Sequence, residues 1–233
     1  MKGTRILILM IWLIVCQTAA TAQAQQGSHV KLGLRVAPGI GWINPNTEGY
    51  KSDGIRGIVS AGLVTDFYFT DNYGISTGFS FLFPSGKMSY RDSLLINNEF
   101  IAGDVSAIYK FSYFEIPLMI KMKTNQFGKF AFFGQIGFGT AFRMKATAET
   151  EFTPDSTASY SSKLDINNKT RLMRESVIAG IGLEFYIDKS TRLFAGFNYS
   201  NSLNNVFKGW NNLYEKDVKG TNNFAELNIG VLF

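Results

Sequence analysis

From Lys31 to Phe233 the chain alternates apolar residues with small or polar ones in eight segments of roughly ten residues. The last segment is the clearest. Ala225, Leu227, Ile229, Val231 and Phe233 alternate there with Phe224, Glu226, Asn228, Gly230 and Leu232. Successive side chains of a strand point to opposite faces, so each set shares one face. The sixth segment repeats the pattern, with Val177, Ala179, Ile181, Leu183, Phe185 and Ile187 opposite Ile178, Gly180, Gly182, Glu184 and Tyr186. The same period runs through 32–40, 59–69, 73–83, 114–122, 132–143 and 192–199. Eight strands are therefore predicted.

The two faces differ in a way that selects the solvent. One is aliphatic and rich in Phe. The other is rich in Gly and Ser with scattered charges. A soluble ligand-binding barrel is the competing architecture, but its exterior would carry many Lys and Glu. A narrow lumen takes small residues and a few polar groups, so the Phe-rich face points to lipid and the Gly-rich face to the lumen. Connections agree. Links at 70–72, 123–129 and 188–190 are short, whereas 43–55, 84–105, 146–171 and 201–223 are long. Strict alternation of short and long links matches short periplasmic turns and long outer loops. The expected fold is all-β, an eight-stranded antiparallel up-and-down transmembrane β-barrel.

Composition narrows the class further. With 45% hydrophobic residues the chain is not disordered, and a mean hydropathy of +0.02 excludes a bundle of membrane helices. A single Cys and a single His leave little material for thiol or His-based metal chemistry. The net charge of +5 has no basic stripe, so no nucleic-acid partner is expected. Lys2 and Arg5 precede an apolar run, Ile6 to Val15, and Ala22-Gln23-Ala24 follows. This order reads as a signal peptide, too short to span a bilayer. It divides the chain into a signal at 1–24 and a barrel domain at 25–233. Lipidation at Cys16 is disfavoured by the bulky Val15 before it.

Strand phase places eight charges in the lumen, namely Arg35, Asp66, Glu115, Lys121, Arg143, Glu184, Arg192 and Glu226. Four are basic and four acidic, which suits a plugged lumen rather than a pore. Leu227, Ile229, Val231 and the terminal Phe233 form an alternating aromatic-ended strand, read as a barrel-insertion signal. Phe207, Trp210 and Tyr214 lie in the last long link and suggest an exposed contact loop or, equally, a loop that folds onto the barrel rim or sits in the aromatic headgroup belt. His29 precedes the first strand, and Ser156 to Ser162 have no His partner, so catalysis and cofactors are not expected. An envelope enzyme at the barrel rim is the less favoured alternative. Expected partners are outer-membrane lipid, the barrel-insertion machinery and other envelope or secretion proteins.

The fourth segment reads Tyr113-Phe114-Glu115-Ile116-Pro117-Leu118-Met119-Ile120-Lys121. It resembles the strand Tyr-(Leu/Phe)-Glu-(Ile/Leu)-Pro-Leu-x-x-Lys of PorT-family outer-membrane β-barrel proteins. Phe132-Phe133-Gly134 with Gly137 is similar to that family's following strand. The first segment departs from it, lacking the family's Gly-x-Asn after the basic residue Arg35. The resemblance implies an eight-stranded barrel of a Gram-negative outer membrane. Some relatives assist export of proteins to the cell surface, and the resemblance carries no catalytic residues. Two readings of function follow. One is a non-enzymatic scaffold or surface-contact barrel, and the other is an accessory of secretion or assembly.

Overall fold

A computed structural model describes residues 29–233 except 97, 156–158, 189, 212 and 214. The signal assigned to 1–24, Cys16 and Tyr214 lie outside these residues. The strands in chain order are β1 (Val30–Pro45), β2 (Lys51–Ser52), β3 (Arg56–Tyr68), β4 (Tyr73–Phe83), β5 (Ser85–Ile96), β6 (Glu99–Lys123) and β7 (Phe130–Pro154). They continue as β8 (Tyr160–Asp165), β9 (Met173–Tyr186), β10 (Arg192–Ser202), β11 (Gly209–Asn211), β12 (Lys216–Val218) and β13 (Gly220–Leu232).

Eight of these close a ring. Antiparallel pairing runs β1–β3–β4–β6–β7–β9–β10–β13, and β13 returns to β1 with Leu34 opposite Val231. Closure leaves no unpaired strand edge for lipid, which cannot satisfy one. The expected side-chain phase holds in every barrel strand. Ser60, Asp66, Ser80, Glu115, Lys121, Glu184 and Asn228 are buried inside. Phe132, Phe138 and Ile181 point outward and are 61–69% exposed, a degree that only lipid contact makes favourable at this density. Trp42 and Tyr199 stack at 6.1 Å on the outer side of this band, where an aromatic belt meets the headgroups.

Two long links are not loops. β6 and β7 each run 25 residues, more than twice the 9–11 or so that cross a bilayer. β5 pairs with the upper half of β6, and β8 with the upper half of β7. The expected loops 84–105 and 146–171 are thus largely a four-stranded sheet standing on the barrel. Its polarity is reversed. Within the membrane, β6 turns Phe114, Ile116, Leu118 and Ile120 outward. Above it, Asp104, Ser106 and Lys110 occupy that face, while Val105, Ala107, Tyr109 and Phe111 are buried inward. Water has replaced lipid outside, so the apolar side chains move to the inside.

A bulge lets β7 follow this change. Tyr113 faces Arg143, but the next pair is Ser112 with Lys145, leaving Met144 as the extra residue. The extra residue resets the phase so that Ala146 and Ala148 face inward. A second irregularity lies lower. The β4–β6 ladder is interrupted opposite Ile116 and Pro117, where Gly78 adopts φ +138°. Pro117 has no N–H to donate, and only glycine holds that φ without strain. Thr77 Oγ1 donates to Pro117 O at 2.7 Å beside the gap.

Candidate functional site

The lumen is filled in layers. Nearest the short turns, Lys121 of β6 lies 2.6 Å from Asp66 of β3 and 2.6 Å from Glu184 of β9. Arg192 of β10 meets the other oxygen of Glu184 at 3.1 Å. Tyr68 OH lies 3.3 Å from Asp66 and 3.4 Å from Glu184. One cation therefore ties strands on both sides of the lumen. Full burial of such charges is tolerable only because each has an opposite partner.

A second layer lies further out. Arg35 of β1 approaches Glu226 of β13 at 3.7 Å, donates to Ser80 Oγ at 2.6 Å and also donates to Asn228 Oδ1. Arg174 of β9 faces Glu115 of β6 at 3.6 Å and donates to Ser200 Oγ at 2.9 Å. The alternation predicts a strand from Val177 and a loop over 146–171, so the expected set does not contain Arg174. Extending the alternation three residues back from Val177 puts Arg174 in phase with Ser176 and Ile178, on the lumen side.

Arg143 does not join these pairs. It stands at the β7 bulge, and its guanidinium donates to the carbonyls of Asn167 and Thr170, both at 2.6 Å. Among the described residues no ion pair involves it. The network is thus Arg35, Lys121, Arg174 and Arg192 against Asp66, Glu115, Glu184 and Glu226. The balance stays at four against four, with Arg174 in the place expected for Arg143.

Between the two layers Gln135 Nε2 donates to Asn198 Oδ1 at 2.9 Å. The cavity there is about 30 Å3, room for a single water. Phe133 and Phe194 fill the rest, lying against glycines. A Cβ on Gly182 would stand 2.5 Å from Phe133 Cζ. The outer end is closed differently, by an apolar cluster that includes Ile43, Leu82, Met88, Phe111, Tyr113 and Phe224.

The last long link completes this cap. Phe207 is buried, edge-on to Tyr109 at 5.0 Å and to Phe111 at 6.1 Å. Its expected role in an exposed contact loop is therefore corrected, because the ring seals the barrel instead. Trp210 is on β11, opposite Asp217 of β12, and its side chain lies outside the described ones. Of the motif residues, Tyr113, Glu115, Pro117 and Lys121 face the lumen, whereas Phe114, Ile116 and Leu118 face outward. Leu227, Ile229 and Val231 face outward on β13, and Phe233 follows it, with its N–H donating to Leu32 O at 2.7 Å. His29 is exposed just before β1. Among the described residues no group of three His, Cys, Asp or Glu is placed to hold a metal ion.

A closed ring with a lipid-facing apolar band, a polar lumen, short turns at one end and long extensions at the other defines an integral outer-membrane β-barrel. Residues 21–208 match the family model described as outer membrane protein beta-barrel domain, and the chain belongs to that family. The match ends before β13, the strand that closes the ring. Among solved structures, the chain is similar to Neisserial surface protein A at 11% identity, covering 89% of this chain and 98% of that one, with a TM-score of 0.45. It is similar to Ail, the attachment invasion locus protein of Yersinia pestis, at 16% identity, covering 88% and 99%, with a TM-score of 0.38. OprG from Pseudomonas aeruginosa matches at 10% identity, 88% and 95% coverage and a TM-score of 0.41. No curated protein sequence matches the chain.

Proposed function

We propose that this protein is a non-enzymatic barrel with a plugged lumen that serves the outer membrane as a scaffold and surface-contact element. One observation carries the reading. The lumen is closed twice in series, by neutralised charge layers and by the apolar cap that Phe207 completes. A conduit has no use for that construction, whereas a rigid post for the sheet of β5–β8 does. The sheet's outer face is polar and held by ion pairs such as Lys110–Glu149 and Arg91–Asp155, both at 2.7 Å. Chemical crosslinking of the tagged protein in intact cells, followed by extraction of the outer membrane, tests the reading. Contacts through β5–β8 are expected, and crosslinks confined to the short turns would contradict it.

A second reading is a PorT-like accessory of secretion. The strand Tyr113 to Lys121 supports it, because its Glu115 and Lys121 each anchor one charge layer. A deletion strain should then lose specific surface proteins, and an unchanged set of exported proteins would exclude this reading.

A further inference from the structure

One sector of the outer rim gathers positive charge. Three stretches of backbone meet there: β7 at its bulge, the link from β8 to β9, and the link after β10. Arg143 N–H donates to Leu172 O at 2.7 Å, Arg171 N–H to Val206 O at 2.8 Å, and Lys208 N–H to Lys169 O at 2.8 Å. Ala146 N–H donates to Asn167 Oδ1 at 2.8 Å. These bonds set Lys145, Lys169, Arg171 and Lys208 on adjacent segments. All four are exposed, and among the described residues none forms an ion pair. Two acids share the sector, and both carboxylates are already held. Asp165 accepts from Asn167 N–H at 2.8 Å, and Glu175 accepts from Thr140 Oγ1 at 2.8 Å. Positive charge therefore stays in excess.

Register fixes the height of these bases. Lys145 lies opposite Ser112, where the outward face of β6 turns from Phe114 to polar residues. Arg171 stands two residues beyond Met173, which pairs with Phe142, the partner of Phe114. Both bases are thus at the level where lipid tails give way to headgroups. Beside and below them Met144, Leu172, Met173 and Leu203 are 43–59% exposed.

An apolar surface with unpaired cations along its upper margin fits an amphiphile with an anionic headgroup. A soluble anion or an acidic peptide would use the bases and leave the apolar surface idle. A neutral lipid would cover the apolar surface and leave the bases unmatched. A phosphate satisfies them best, because the Arg171 guanidinium can give it two parallel N–H···O bonds while Lys145 lays its stem on the apolar band.

We propose that this sector binds a phosphorylated lipid of the outer leaflet. Lys145 and Arg171 hold the phosphate, and the acyl chains lie against Met173 and Leu203. The site needs only a barrel seated in the outer membrane, so it is independent of the scaffold and secretion readings.

Native mass spectrometry of the full chain, refolded in detergent, tests it. The probes are lipid A, the same lipid stripped of its phosphates, and inorganic phosphate. Lipid A should remain bound as a one-to-one complex. The dephosphorylated lipid should bind at least about tenfold more weakly, and this comparison needs no variant. Lys145→Ala and Arg171→Ala should each weaken lipid A about tenfold, the loss of one charge-assisted hydrogen bond. Lys51→Ala, which removes an exposed base on β2 outside the sector, should bind as the wild type does. Folding of each variant is checked by its heat-dependent gel shift. The proposal is overturned by equal retention of the dephosphorylated lipid, by folded Lys145 and Arg171 variants that bind as the wild type does, or by an equal loss in Lys51→Ala. Displacement of lipid A by an equimolar amount of inorganic phosphate would also overturn it, because the sector would then read the anion alone.

Discussion

Lys121 Nζ lies 2.6 Å from Glu184 Oε1, joining β6 to β9 inside the barrel over the intervening β7. Glu184 also has Arg192, but among the described residues Lys121 is the only ion-pair partner of Asp66. Removing Lys121 therefore strands one carboxylate. Lys121→Met should cost about 3–5 kcal/mol, the penalty for leaving a buried charge unpaired. The double variant with Asp66→Asn should recover at least half of it. Urea unfolding of the refolded protein measures both. Equal losses in the two would show that Asp66 is not the stranded group.

The polarity reversal along β6 gives a positional test. Ile120 and Ile108 share its outward face, one below and one above the point where that face turns polar. Ile120→Arg should cost about 2–4 kcal/mol if it lies at mid-depth in lipid. Ile108→Arg should change stability by less than about 0.5 kcal/mol, as surface substitutions do. Similar costs at both sites would mean the lipid boundary is misplaced.

Arg143 and Arg174 should fail in different ways. Arg143→Met removes the tie to the carbonyls of Asn167 and Thr170 and should free that link locally. Limited proteolysis should then cut within 166–171 while the barrel stays folded. Arg174→Met leaves Glu115 buried without its ion-pair partner and should lower the stability of the whole barrel by about 3–5 kcal/mol. Global loss in the first variant and none in the second would reverse the assignment.

A glycine in the lumen sets how closely side chains pack. A Cβ on Gly139 would stand 2.8 Å from Glu115 Oε1 and 2.8 Å from Ile178 Cδ1. Gly139→Ala should destabilise by about 1–3 kcal/mol, as overpacking does. Ile178→Val in the same background should relieve part of this, and differential unfolding of the pair reads the coupling.

The barrel was legible because lipid imposes a simple rule, that every second residue must be apolar. Thus Leu118 and Ile120 marked the outside and Glu115 and Lys121 the inside from period alone. The outer sheet was not legible by that rule. Tyr109 and Phe111 are the apolar members there, and they face inward, out of phase with Phe114 and Ile116. The apolar face therefore switches sides along β6 with no break in the strand. Met144 compounds the difficulty, since a bulge is silent in the alternation and carries Arg143 to the rim. Phe207 is ambiguous in the sequence for another reason. Apolar residues in a long link fit an exposed patch or a lid equally, and only the ring of Tyr109 beneath it decides.

Single-channel recording in planar lipid bilayers tests the closed lumen most directly. The refolded wild-type barrel should insert without adding current above the bilayer baseline at any applied voltage, because the charge layers and the cap leave no continuous water path. A steady open-channel conductance from the intact protein would contradict this account.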